Sequence, residues 1–141
     1  MINQKFKFYI ILFLIFTLDS CLKTNDFKPR KIVYDRDVCE HCHMSISDQR
    51  FATQLIDKKY HVYKFDDIGC ALNWKKEKHE IKIVKYYVKD FGTDNWIDAT
   101  KAFWYKTNAP TPMNYGFTAS FEKNKNSISF LQLNKILKTI K

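Results

Sequence analysis

At 141 residues, 45% of them hydrophobic and 16% aromatic with only three glycines, the chain has enough apolar material for one packed domain and too little length for two. Its formal charge of +9 is spread along the chain without an arginine-rich block, so a nucleic-acid role has little support. Attraction to anionic headgroups or to an acidic partner is the use such a charge suggests.

The first residues read as a leader. Lys5 and Lys7 precede an apolar run over 8–16 that is too short to span a bilayer comfortably as a mature helix. The run ends at Leu18-Asp19-Ser20-Cys21, which resembles a bacterial lipobox. Residues 1–20 are therefore expected to be a lipoprotein signal peptide, with the Cys21 sulfur as the site of lipidation. The largely polar stretch 21–36 reads as a tether and 37–141 as the domain it carries. This arrangement implies a lipoprotein anchored to a membrane without spanning it, facing the periplasm or the cell exterior. With Cys21 committed to lipid, Cys39, Cys42 and Cys70 remain, an odd number for an oxidising compartment. At least one thiol is expected to be free, reactive or metal-bound.

Next comes Cys39-Glu40-His41-Cys42-His43-Met44, which puts two thiols, two imidazoles and a thioether into six residues. Thiolate and thioether select soft ions, Cu(I) above all, and imidazole also suits copper and zinc. In extended chain, Cys42 and Met44 point to the same side. A turn at Cys39 would bring a third sulfur to the same ion, and His41 or His43 could complete its coordination.

Strand-like runs follow at 51–56 and 60–65, with Asp57-Lys58-Lys59 between them as a hairpin turn. Asp66 or Asp67 can cap a helix over 67–78, with Ile68, Ala71, Leu72 and Trp74 at helical spacing. Cys70 falls in its first turn, where a small buried core residue is the expectation, although helix N-termini also lower thiol pKa values. His61 and His79 read as ordinary core or surface residues. A second round has strands at 81–88, 99–105 and 117–121. Between the last two, Met113 stands in a loop stiffened by Pro110 and Pro112, placed either to wall the site or to plug the core. The last helix starts at Ser129, with Gln132 completing a capping box and Phe130, Leu133, Ile136, Leu137 and Ile140 forming an apolar stripe. The expected class is α+β, built from two related strand-strand-helix halves.

Several chemistries compete for the motif. Cys39-x-x-Cys42-His43 fits the attachment signature for c-type haem, with Met113 as a distal ligand, but the strand-rich chain does not resemble a small helical cytochrome. A thioredoxin-like pair needs a βαβ setting, and here a strand follows directly. Cys39, Cys42 and one or two histidines could hold structural zinc, leaving Met44 a bystander. A lipoprotein that docks a membrane complex through its aromatic sheet and binds no metal is a further alternative. No constellation for hydrolysis, phosphoryl transfer or nucleotide binding is present, so no enzymatic activity is expected.

On these residues the chain resembles the NosL family of copper-binding lipoproteins associated with nitrous oxide reductase. The likeness is carried by Cys39-x-x-Cys42-x-Met44 just beyond the mature N-terminus and by Phe65-Asp66-Asp67-Ile68-Gly69-Cys70. It continues through the block from Trp96-Ile97-Asp98-Ala99 to Trp104, and through Pro112-Met113 leading to Thr118-Ala119-Ser120-Phe121. It covers roughly residues 37–137. The resemblance implies a fold of two related halves similar to organomercurial lyase. It also implies a Cu(I) metallochaperone that delivers copper to nitrous oxide reductase or another acceptor. Cys42 and Met44 would hold the ion, with Cys39 and either Met113 or a histidine completing the set. His43 departs from the pattern, since the family often has glycine there.

Overall fold

In the computed structural model, which describes residues 26–140, β1 (Thr53–Asp57) is the central, fully buried strand. It pairs antiparallel on one side with β2 (Val62–Phe65) and on the other with β3 (Ile83–Lys89). A strand flanked on both edges and covered on both faces loses the polar alternation of a half-exposed one. Even Gln54 is buried there, and its amide is satisfied like a backbone unit. It donates to the Arg30 carbonyl at 2.6 Å and accepts from the Arg30 N–H at 2.8 Å. The turn into β2 is closed by Asp57, whose carboxylate accepts from the N–H groups of Lys59 and His61.

Helix α1 (Ile68–Glu77) follows β2 directly, with Asp67 as its N-cap accepting from the Cys70 N–H at 2.9 Å. It packs Trp74 against Tyr63 and Phe65 of β2. The short strand β4 (Trp96–Asp98) adds to β3 and completes a four-stranded sheet of order β2-β1-β3-β4. The strand expected at 99–105 begins only at Phe103, because Asp98 closes a turn over 99–102. Its carbonyl accepts from the Lys101 and Ala102 N–H groups and its carboxylate from that of Thr100. β5 (Phe103–Lys106) and β6 (Phe117–Ser120) form a separate antiparallel pair, followed by α2 (Phe130–Thr139). The expected capping box is present, Ser129 Oγ accepting from the Gln132 N–H and Gln132 Oε1 from the Ser129 N–H.

The class is α+β, and two hairpin-helix units recur, β1-β2-α1 and β5-β6-α2. The strand expected at 81–88 does not join the second unit but extends the first sheet. Trp104, Leu133 and Leu137 are buried in the second unit and Leu55, Phe65 and Trp74 in the first, within one continuous apolar cluster. Leu133 and Leu137 form the buried line of the α2 stripe, while Ile136 and Ile140 are partly exposed.

The expected signal peptide, Cys21 and residues 22–25 lie outside the described residues. Residues 26–36, within the stretch read as a tether, lie against the domain: Ile32 is buried in the core and the Phe27 ring sits 4.5 Å from that of Tyr60. Among the described residues no helix is long and apolar enough to cross a membrane.

Candidate metal centre

Residues 39–44 form a tight loop. Val38 and Ser45 bridge across its base, the Cys39 N–H donates to the Met44 carbonyl at 2.8 Å, and the His43 N–H donates to the Cys39 carbonyl at 3.0 Å. Closing the loop puts His43 at φ +60°, the left-handed region that costs a residue with a side chain about 1–2 kcal/mol. The glycine common at this position in the family resembled by the chain would adopt that φ freely.

The loop is held against the start of α1. Glu40 donates its N–H to the Lys64 carbonyl on β2, and just beyond β2 the chain supplies Asp66. The Cys39 sulfur lies 3.3 Å from Asp66 Oδ1 and the Cys42 sulfur 3.2 Å from Asp66 Oδ2, so one carboxylate faces two thiols. Cys70, in the first turn of α1, completes the group. One ligand atom from each of Cys39, Cys42, Asp66 and Cys70 falls within 4.8 Å of the other three. Cys39, Asp66 and Cys70 are buried and Cys42 is half-buried, so the cluster opens to solvent on the Cys42 side.

The electrostatics are uneven. A hydrogen bond from the Cys70 thiol favours the Cys39 thiolate, and with backbone N–H groups around it this outweighs burial and lowers Cys39 to about 6. The Cys70 thiol is raised, first by giving that hydrogen bond and then by burial. Burial pushes Cys42 up to about 12, with the Asp66 carboxylate adding to the effect. Burial also raises Asp67 to about 7, against the N–H groups of Cys70 and Met113 that favour its charged form.

Cys39 and Cys42 are brought together as the motif suggested. Cys70 is in the apolar core, as expected, yet its sulfur belongs to the cluster, a role the sequence reading did not assign it. Asp66, read only as a possible helix cap, contributes its carboxylate, and the cap itself is Asp67. The pair Asp66-Asp67 at a strand end, four and three residues before Cys70, was the available signal. Neither motif histidine joins the converging group: His41 Nδ1 pairs with Glu77 Oε2 at 3.6 Å, and His43 is exposed. Met44 is 48% exposed at the rim. Met113 packs part-buried against the core, and its N–H donates to Asp67 Oδ2 at 3.2 Å, so its loop is fastened next to the cluster.

A donor set of three sulfurs and one carboxylate, mostly buried, fits a soft ion held in a low-coordination sulfur environment.

The family model for NosL matches residues 31–135. Among solved structures, the crystal structure of the copper chaperone NosL from Shewanella denitrificans matches with a TM-score of 0.56. The match covers 79% of this chain and 87% of that one at 17% sequence identity, a likeness of fold. Among curated proteins, none matches the chain in sequence.

Proposed function

The chain belongs to the NosL family, and from that premise we propose that it is a copper chaperone carrying Cu(I) as cargo on the Cys39-Cys42-Cys70 cluster. The observation that supports this most directly is the convergence of three sulfurs and the Asp66 carboxylate within 4.8 Å. In this reading the two buried thiols, Cys39 and Cys70, retain the ion, and the half-buried Cys42 is the ligand exchanged first. Met44, at the rim, offers a weaker thioether to an ion entering or leaving. Met113 is placed to supply a second thioether from its pinned loop. Transfer is ligand exchange: incoming sulfur donors replace Cys42, then the deeper thiols, and no covalent bond in the protein changes. Asp66 accepts a hydrogen bond from the Cys42 thiol before loading.

The remaining elements of the reading are a Cys21 lipid anchor, residence on the membrane face toward the periplasm or cell exterior, and delivery for the copper centres of nitrous oxide reductase. They rest on the leader pattern and on family membership.

Competition for Cu(I) against a chromophoric chelator, with anaerobic reduced protein, tests the proposal. One copper per chain should be retained, and Cys39→Ser should weaken retention at least about tenfold through loss of a thiolate ligand. Failure to compete with a modest chelator would overturn it. Three thiols and a carboxylate also suit tetrahedral zinc. If zinc displaces Cu(I) at equal concentration, the site is a structural zinc site instead.

A further inference from the structure

We propose that the end of the domain built from the β1–β2 turn and the C-terminus of α1 lies flat on an anionic lipid headgroup surface. The inference rests on the proposed Cys21 anchor and adds to it an orientation for the domain.

The argument starts from where the described chain begins. Phe27 packs its ring 4.5 Å from that of Tyr60, so the first described residues lie at the β1–β2 turn. Asp26 is five residue steps from Cys21, and fully extended chain covers at most about 3.6 Å per step, or about 18 Å in all. A lipidated Cys21 therefore holds this end, and no distant face, against the bilayer.

The same end is basic. Lys58 and Lys59 are exposed in the turn, and the Lys58 N–H donates to the carbonyl of Lys82, which is also exposed. These three lysines line one open cleft of about 480 Å³ together with His61 and Tyr63. Exposed Lys76 and Lys78 at the end of α1 lead into it, since Ile81 donates its N–H to the Lys78 carbonyl. Two acids line the same cleft, Asp57, which is buried and 3.1 Å from His61, and the exposed Glu80; with Glu77 exposed on α1 they only partly offset the charge of these lysines. Lysines on flexible stems around two aromatic rings suit a negatively charged, laterally mobile surface better than one shaped partner. Cys70, by contrast, lies in the first turn of α1. Helix rise puts it roughly 12 Å from the Lys78 end, so the buried part of the cluster is set back from the docked surface, while His41 of the 39–44 loop reaches Glu77 at that end.

The test uses the full-length lipidated protein in phosphatidylcholine vesicles with and without phosphatidylglycerol, with amine acetylation followed residue by residue by mass spectrometry. Lys58, Lys59 and Lys82 should react at least about threefold more slowly on the anionic vesicles, recovering in high salt because headgroup attraction is screened. Lys101 and Lys106, exposed on the β5–β6 side, should keep one rate throughout. Combining Lys58→Gln, Lys59→Gln and Lys82→Gln should free Lys28 and Lys78 from protection while the protein still floats with the vesicles. Flotation with uniform lysine reactivity would overturn the orientation and leave the anchor standing. No flotation with either vesicle would overturn the anchor and this inference together.

Discussion

Gly69, in the first turn of α1, offers the sharpest test of how the site is held. In an exposed helix interior, replacing glycine by alanine stabilises by about 1 kcal/mol, so helix propensity alone predicts that Gly69→Ala helps. The structure predicts the opposite. A Cβ built on Gly69 would sit 2.1 Å from Tyr115 Cδ2, 2.2 Å from Cε2 and 2.6 Å from Cγ. Carbon atoms pack at about 3.5–4.0 Å, so the ring would have to retreat by more than 1 Å, about the length of the shortfall. Tyr115 is not free to do so. Its hydroxyl accepts from Asn73 Nδ2 at 2.7 Å, and it stands between Asn114 and Gly116, both at positive φ. Overpacking of this kind costs about 1–3 kcal/mol, and losing the Asn73 hydrogen bond adds about 1 kcal/mol. The expected net effect of Gly69→Ala is a destabilisation of about 1–3 kcal/mol, read from urea unfolding. In a Tyr115→Ala background the same change should be neutral or favourable, giving a coupling energy of about 2 kcal/mol. Because Met113, two residues away, is fastened to Asp67, Gly69→Ala should also weaken Cu(I) retention. A raised urea midpoint for Gly69→Ala, or coupling near zero, would refute the reasoning.

Other outcomes follow from the same geometry. His43→Gly removes a side chain held at φ +60° and should raise stability by about 0.5–1 kcal/mol in thermal or urea unfolding, leaving Cu(I) affinity unchanged. A large loss of affinity would make His43 a ligand. Cys70→Ser should weaken Cu(I) retention more than Met44→Ala, because the Cys70 sulfur is buried in the cluster while Met44 is half exposed. The reverse order in a chelator competition would place the ion at the rim. With Cys39 at about 6, Cys42 at about 12 and Cys70 also raised, three-thiolate binding should release about two protons per copper around neutral pH. Affinity should therefore rise with pH, more steeply below 6 where Cys39 is also protonated. Release of fewer than one proton at pH 7.5, measured with a pH indicator, would exclude Cys42 and Cys70 as joint ligands.

Much of the fold was legible because it is written in short-range chemistry. The Ser129-x-x-Gln132 box and the aspartate ahead of α1 satisfy orphan amides within three residues of themselves, whatever the rest of the chain does. The hairpin at 57–61 is likewise closed by its own Asp57. Where the reading slipped, a tertiary contact intervened. The strand run beginning at Ala99 is cut by a turn that also puts the Ala99 carbonyl 3.1 Å from Trp104 Nε1. The isolated strand β4 exists only because β3 offers it an edge.

The candidate site divides in the same way. Residue types alone determined that soft donors concentrate at 39–44, two thiols, two imidazoles and a thioether within six residues. Which donors meet was decided by folding. Asp66 reaches Cys39 and Cys42 across separations of 27 and 24 residues, and Cys70 joins them because α1 starts where β2 ends. Conversely, Met44 and His43, adjacent to the thiols in sequence, are turned outward by the 39–44 loop. Ligand chemistry is a property of single side chains and survives in the linear order. Convergence is a property of the chain's path, which the burial of Leu55, Phe65 and Trp74 sets from a distance.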